Sequence, residues 1–188
     1  MNLVYMFPGQ NSRYPQAITQ LRNLTSIADD IIDAASEILS QDLREHFRPE
    51  NAAMFECNRD VQVGVFLASH ILFKALEAEG IQADASVGLS LGEYNHLVHA
   101  GAIRFEDALR LLVARGNAYD RAPQGMMMSV FPCDGEQVAR ALAGAVDVGI
   151  QLTKRHIVLS GERGAVESAA ARIEEEAYAQ VRVIDSRL

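Results

Sequence analysis

The stretch "SVGLSLGEYNHLVHAG" (86–101) places Ser90 between Gly88 and Gly92 in a G-x-S-x-G frame. The residues "ADASVG" (83–88) predict a short strand, and the residues after the serine predict a helix. A serine on a tight strand-to-helix turn is typical of a nucleophile elbow, which lifts the hydroxyl above a sheet beside the free N–H groups of a helix N-terminus. An ordinary strand–turn–helix connector is the alternative, because glycine and serine are common in turns.

The segments around this turn alternate between strand and helix patterns. An apolar run that ends in a Pro-Gly turn predicts a strand, and apolar residues at helical spacing predict helices. Four segments follow these patterns: a strand at 3–7 and helices at 25–40, 61–79 and 105–119. This alternation favours an α/β fold with a parallel sheet.

The segment 61–79 gives the strongest helix signal. Six of its apolar residues are predicted to share one face: Val61, Val65, Ala68, Leu72, Ala75 and Leu76. The segment also contains His70 and Lys74, so we interpret it as a core helix and not as a membrane span.

The pattern changes after Pro123. Six elements are predicted in the order β-α-β-β-α-β: 126–131, 135–144, 146–152, 156–161, 162–179 and 180–185. This order is that of a ferredoxin-like unit. We therefore predict a large α/β subdomain at 1–122 and a small ferredoxin-like subdomain at 123–188.

Composition excludes several classes of function. The chain carries 17 Lys and Arg residues against 25 Asp and Glu, a formal net charge of −8, and has no basic run that would follow a phosphate backbone, so we expect no nucleic-acid partner. Cys57 and Cys133 fit no metal or redox spacing, and we expect no metal site. Because the N-terminus lacks a secretory pattern, we expect a reducing cytoplasmic location and no membrane partner.

Three stretches resemble the malonyl-CoA:acyl-carrier-protein transacylases and the acyltransferase domains of polyketide synthases. They are "FPGQNS" (7–12), "GLSLGEY" (88–94) and "DALRLLVARG" (107–116), in the family's order and spacing. "GMMMSVF" (125–131) and "HIVLSG" (156–161) resemble strands of the family's small subdomain, so the resemblance covers the whole chain. It implies an α/β-hydrolase-like large subdomain, incomplete at its C-terminal end, with a ferredoxin-like small subdomain.

The resemblance also implies roles for individual residues. Ser90 would be the acyl-accepting nucleophile, and the backbone N–H groups of Gln10 and Leu91 would form the oxyanion hole. Arg115 would bind the free carboxylate of a malonyl-type group through two parallel hydrogen bonds. Leu89 would line the substrate pocket, where most members carry a histidine. Without the family, Gln10 fits a solvated turn and Arg115 a surface position at a helix C-terminus.

A serine nucleophile needs a base, and none of the five histidines matches the family's position for it. They are His46, His70, His96, His99 and His156. The family's histidine follows the last strand of the small subdomain, where this sequence reads "VIDSRL" (183–188). We therefore expect the histidine to come from beyond residue 188, in a longer protein or a second polypeptide, with a degenerate remnant as the third explanation. Another departure is Arg13, which stands where glutamine is usual.

The implied function is transfer of a malonyl-type acyl group from coenzyme A to the phosphopantetheine thiol of an acyl carrier protein, through an acyl-serine. The expected partners are the carrier protein, the acyl-CoA and the remaining C-terminal part of the same protein. No cofactor is expected besides the coenzyme A thioester that serves as substrate. Two alternatives stay open: an acyl hydrolase on the same fold, and a non-catalytic module that binds a carrier protein.

Overall fold

The computed structural model describes residues 3–123, 125–134, 138, 142, 144, 146–176 and 180–184. It divides into two compact units, Met1–Arg121 and Ala122–Arg187. Each unit has its own sheet and its own apolar core.

The first unit contains two strands, six helices and short 3-10 turns. The strands are β1 (Val4–Phe7) and β2 (Ala85–Gly88). The helices are α1 (Ala17–Leu24), α2 (Ile27–Leu39), α3 (Leu43–His46), α4 (Asn58–Ala78), α5 (Gly92–His99) and α6 (Phe105–Arg121). Three 3-10 turns lie at Gln10–Ser12, Pro49–Asn51 and Ala53–Phe55.

The two strands of this unit pair in parallel, from Val4 opposite Ala85 to Phe7 opposite Gly88. Their carboxyl ends therefore lie at the same edge of the sheet. The turn after β1 carries Gln10, and the turn after β2 carries Ser90. This pairing is how residues 80 positions apart in the sequence are brought to one place.

Helix α4 forms the centre of the first unit. Its N-terminal part packs against α1, α2 and α6, so Gln62 is buried along with apolar neighbours such as Phe66. Among the described residues it is the one helix long and apolar enough to cross a membrane, and 61% of that window is buried inside the unit. The helix is therefore accounted for by core packing.

The buried face of α4 differs from the predicted one. Leu72 and Leu76 remain 47% and 38% exposed, whereas His70 is 5% exposed. Near its start the helix is covered on several sides by other helices, so burial there does not follow a single stripe.

The second unit contains a four-stranded antiparallel sheet in the order β4-β5-β3-β6. Its elements are β3 (Met126–Phe131), β4 (Asp147–Thr153), β5 (His156–Gly161), α7 (Arg163–Glu176) and β6 (Gln180–Ile184). The predicted helix at 135–144 lies largely outside the described residues. With a parallel sheet in one unit and an antiparallel sheet in the other, the predicted fold class is confirmed.

Candidate functional site

Ser90 adopts a backbone conformation that few residues other than glycine adopt. Its φ is 53°, in the left-handed region, and it sits between the end of β2 at Gly88 and the start of α5 at Gly92. A non-glycine residue held there costs about 1–3 kcal/mol, and such strain clusters at functional sites. Ser90 is also exposed, so its hydroxyl is open to a ligand.

The two glycines of the motif allow the strand ends and the helix to touch. A Cβ on Gly92 would lie 2.2 Å from the carbonyl oxygen of Phe7, and one on Gly88 would lie 2.3 Å from the carbonyl carbon of Gly92. The Leu89 N–H donates to the Phe7 carbonyl oxygen at 3.0 Å. The G-x-S-x-G frame therefore fixes the N-terminus of α5 directly on the ends of β1 and β2.

Two backbone N–H groups beside Ser90 lack an acceptor. Within the described part of the chain, neither the Gln10 N–H nor the Leu91 N–H makes a hydrogen bond, although the N–H groups of Ser12 and Arg13 both do. The Leu91 side chain is fully buried, which anchors its amide. The turn that carries Gln10 lies against the elbow, because a Cβ on Gly9 would be 3.3 Å from the Leu89 carbonyl oxygen.

A hydrogen-bond network holds the Gln10 turn in place. The Gln10 Nε2 donates to Asn58 Oδ1 at 2.9 Å, and Asn58 donates to Asp120 Oδ1 from its backbone N–H at 2.8 Å and from Nδ2 at 3.0 Å. Burial raises the pKa of Asp120, but these bonds and one from the Arg59 N–H outweigh it, so the pKa lies below its ordinary value. The charged carboxylate thus ties the start of α4 to the end of α6.

Sequence analysis missed this network because its members are 48 and 62 residues apart. Nothing in the local pattern around Asn58 or Asp120 indicates that they meet. The matched stretch that contains Arg115 ends four residues before Asp120, which gives a weak signal at most.

Arg115 lies on α6 where that helix touches α4. A Cβ on the next residue, Gly116, would be 2.3 Å from the Arg59 Cα, so the two helix backbones are in direct contact. The Arg115 guanidinium lies over the Tyr119 ring at 4.5 Å and near the Tyr94 ring at 6.0 Å. Tyr94 is in the first turn of α5, so Arg115 is brought to the elbow helix. Its Nη1 is buried and has no hydrogen-bond partner among the described residues.

Gln62 is a second buried polar group without a partner. It is fully buried, and neither Oε1 nor Nε2 finds a hydrogen bond among the described residues. It lies one helical turn after Asn58 on α4 and therefore on the same side. Unpaired buried amides are rare in folded proteins and call for a ligand, a water or a catalytic role. A glutamine inside the apolar run "VQVGVFL" (61–67) was the signal that sequence analysis passed over.

Leu89 is 59% exposed and contacts the turn that carries Gln10. An apolar, solvent-exposed side chain therefore lies next to the proposed nucleophile. The role as a pocket-lining residue stays a prediction.

None of the five histidines makes a hydrogen bond to Ser90. Four have polar partners elsewhere: His46 with Asp60 at 3.0 Å, His96 and His99 with the Ser86 hydroxyl at 2.8 and 3.0 Å, and His156 with the Ser129 hydroxyl at 2.7 Å. His70 packs between Phe73 and Phe105, and burial, helped by Lys74, lowers its pKa to about 3. A base for Ser90 is therefore not found on the histidines of this chain.

Comparison with known proteins gives a family match over almost the whole chain. A family model described as "Acyl transferase domain" matches residues 4–187. The polyketide biosynthesis protein PksE of Bacillus subtilis is 32% identical over 181 residues, which cover 92% of this chain and 23% of that protein.

Solved structures give the same result for the fold. The malonyl CoA-acyl carrier protein transacylase of Clostridium perfringens matches with a TM-score of 0.88 at 26% identity, over 98% of this chain and 61% of that one. A solved complex of a type II polyketide synthase acyl-carrier protein with its malonyl-transacylase matches with a TM-score of 0.86 at 25% identity, over 100% of this chain and 64% of that one. The chain thus spans less than two thirds of the length of each of these relatives.

Proposed function

Because this chain belongs to the acyl transferase domain family, we propose that it transfers a malonyl-type acyl group from coenzyme A to the phosphopantetheine thiol of an acyl carrier protein. The observation that carries the proposal is the strained, exposed Ser90 beside the two unpaired amides of Gln10 and Leu91. Such an arrangement suits attack on a thioester carbonyl and stabilisation of the oxyanion that results.

The proposed reaction has two halves. The Ser90 oxygen bonds to the thioester carbonyl carbon while its proton passes to a base, and the carbonyl oxygen becomes an oxyanion held by the two amides. Collapse breaks the carbon–sulfur bond, so coenzyme A leaves as its thiol with that proton and an acyl-serine remains. The carrier thiol then attacks this ester, gives its proton to the base, and Ser90 is reprotonated as the new thioester forms. No metal or redox cofactor takes part in these steps.

Arg115 is proposed to select the acyl group. Its unpaired buried nitrogen supports this role, because a guanidinium placed beside a reaction site can bind a free carboxylate through two parallel bonds. The Tyr119 ring, 4.5 Å from the guanidinium carbon, helps to hold the group in place by a cation–π contact. Gln62, also buried and unpaired, is a further candidate to hold the same acyl group.

The relatives are longer than this chain. We propose that additional polypeptide, corresponding to their extra length, supplies the base. Support comes from β1, which pairs with β2 on one side and has no other strand partner among the described residues. Met6 and Val4 on β1 are 79% and 46% exposed, so one face of this strand is open, and a parallel pair with an open face is rarely stable by itself. We propose that further polypeptide completes this sheet and supplies the histidine. A cytoplasmic location is part of the same proposal.

Intact-mass analysis tests this function. The protein, together with the polypeptide proposed to supply the base, is incubated with malonyl-CoA or acetyl-CoA, then with a holo carrier protein. A malonyl adduct that is absent in Ser90→Ala and moves to the carrier supports acyl transfer. Rapid release of free acid supports a hydrolase, and absence of any adduct supports a non-catalytic module.

A further inference from the structure

We infer that Arg13 is a second anion-binding residue of this site, beside Arg115, and that it takes an anionic group of the thioester substrate. The inference rests on the proposed function. Sequence analysis identified Arg13 as a departure from the family pattern, and no role follows for it from the resemblance.

Arg13 stands at the end of the turn that carries the proposed oxyanion donor. Its backbone N–H donates to the Gln10 carbonyl oxygen at 3.2 Å and so closes that turn. Its guanidinium carbon lies 5.5 Å from the centre of the Phe55 ring, just before the start of α4. The Gln10 side chain reaches the same helix start through Asn58. Arg13 is therefore placed at the site and not on a remote surface.

Apart from the Phe55 ring, the Arg13 guanidinium has no hydrogen-bond or ion-pair partner among the described residues. Its Nε and Nη1 are buried without a hydrogen bond among the described residues, and Arg13 and Arg115 are the two arginines in this state there. Two carboxylates near the start of α4 are already engaged, since Asp60 pairs with Arg59 at 2.7 Å and Asp120 accepts from Asn58. A third, Glu56, is exposed and makes no ion pair with Arg13. Hence a protein carboxylate is not what Arg13 pairs with in this part of the chain.

Arg13 is half-buried, but two of its guanidinium nitrogens are buried without a counter-charge, which is costly and favours binding of an anion there. The Phe55 ring packs near the group without accepting hydrogen bonds from Nε and Nη1, so these donors are available to a carboxylate or phosphate. A malonyl thioester of coenzyme A offers both, a carboxylate on the acyl group and phosphates beyond the pantetheine arm. Glutamine, the usual residue here, can hydrogen-bond such a group but cannot neutralise it.

Binding measurements in a Ser90→Ala background separate these sources without chemical turnover. Three probes share one thioester arm: acetyl-CoA carries phosphates, malonyl-pantetheine carries a carboxylate, and acetyl-pantetheine carries neither. Dissociation constants are compared for the parent, R13Q, R13K and the control R110Q, which removes one charge from an exposed position on α6. A charged hydrogen bond corresponds to about a tenfold loss or more.

We expect R13Q to weaken either acetyl-CoA or malonyl-pantetheine about tenfold, with R13K less affected and R110Q unchanged. Loss for acetyl-CoA assigns the phosphates, and loss for malonyl-pantetheine assigns the carboxylate. Unchanged binding of both charged probes, or equal losses that include acetyl-pantetheine, would overturn the inference. If the parent binds none of the probes, the acyl-transfer proposal fails as well, whereas normal parent binding with an inert R13Q refutes Arg13 alone.

Discussion

At the residue scale, the account depends on a few side chains whose conformation or burial is unfavourable by itself. Ser90 is held in a left-handed conformation, and Arg115 and Gln62 bury polar atoms without partners. In a stable fold such groups persist because the surrounding structure imposes them, and they are concentrated at functional sites.

The proposed carboxylate role of Arg115 gives a prediction about substrate choice. Arg115→Ala should lower the rate of malonyl loading by about 30- to 160-fold, because a charged hydrogen-bond pair worth about 2–3 kcal/mol is lost. Acetyl loading should change little, because acetyl has no carboxylate. Rates of adduct formation from the two CoA thioesters check this, and equal losses for both would refute the role.

The contact between Gly92 and β1 gives a prediction about stability. Gly92→Ala should destabilise the protein by about 1–3 kcal/mol, because the new methyl group would overlap the rigid backbone at Phe7. Urea unfolding at neutral pH measures the change. Gly164→Ala, where the added methyl group meets nothing within 4 Å, is the matched control and should be neutral or stabilising. A stable Gly92→Ala protein would mean that the elbow is not packed as described.

At the element scale, β1, β2 and the helices α2, α4, α5 and α6 are predicted well by the sequence because each carries its own periodicity. Helix α1 is missed, since its 8 residues bury two side chains, Ile18 and Leu21, and give little pattern. The predicted buried face of α4 is wrong beyond the first turns of the helix. Packing on several sides, and not an amphipathic stripe, decides which residues of α4 are buried.

Some residues of the candidate site could likewise be predicted from the sequence, and others could not. Ser90, Leu91 and Gln10 lie in local motifs, and the structure brings them to one edge of the sheet. The partners of Gln10, by contrast, could not be predicted from sequence. Asn58 and Asp120 meet only through the packing of α4 against α6, which no local pattern encodes.

His70 on α4 gives a prediction about pH. Its pKa is about 3 when folded, against about 6.5 when unfolded, so the unfolded chain binds a proton that the folded chain does not in the range between these values. This group therefore makes stability fall by about 1.4 kcal/mol per pH unit as the pH drops below about 6.5. In His70→Leu that contribution should vanish. Urea unfolding at several pH values from 4.5 to 7 compares the slopes, and identical slopes would contradict the burial of a neutral imidazole.

At the scale of the whole molecule, the two units differ in how complete their sheets are. The four strands of the second unit form the full ferredoxin-like order, whereas the described residues of the first unit contain two strands, so that β1 has an open edge. An uncovered edge strand with exposed apolar side chains favours association with other polypeptides. The fold class can thus be predicted from the sequence. The polypeptide that covers the edge of β1 cannot be predicted from it.

The open edge predicts self-association of the 188-residue chain. Sedimentation velocity should show concentration-dependent association, and Met6→Lys should reduce it by placing a charge on the 79% exposed side chain of β1. Phe131→Lys, which changes a 51% exposed side chain on β3 of the other unit, is the control. A protein that stays monomeric at high concentration would contradict an uncovered apolar edge.

The most direct test of the account is to locate the acyl group after brief exposure to malonyl-CoA. Acid quenching, peptic digestion and tandem mass spectrometry identify the modified residue. We predict a malonyl ester on Ser90, within the peptide that contains "GLSLGEY". A malonyl group on Ser86, Ser129 or another side chain, with Ser90 unmodified, would contradict it.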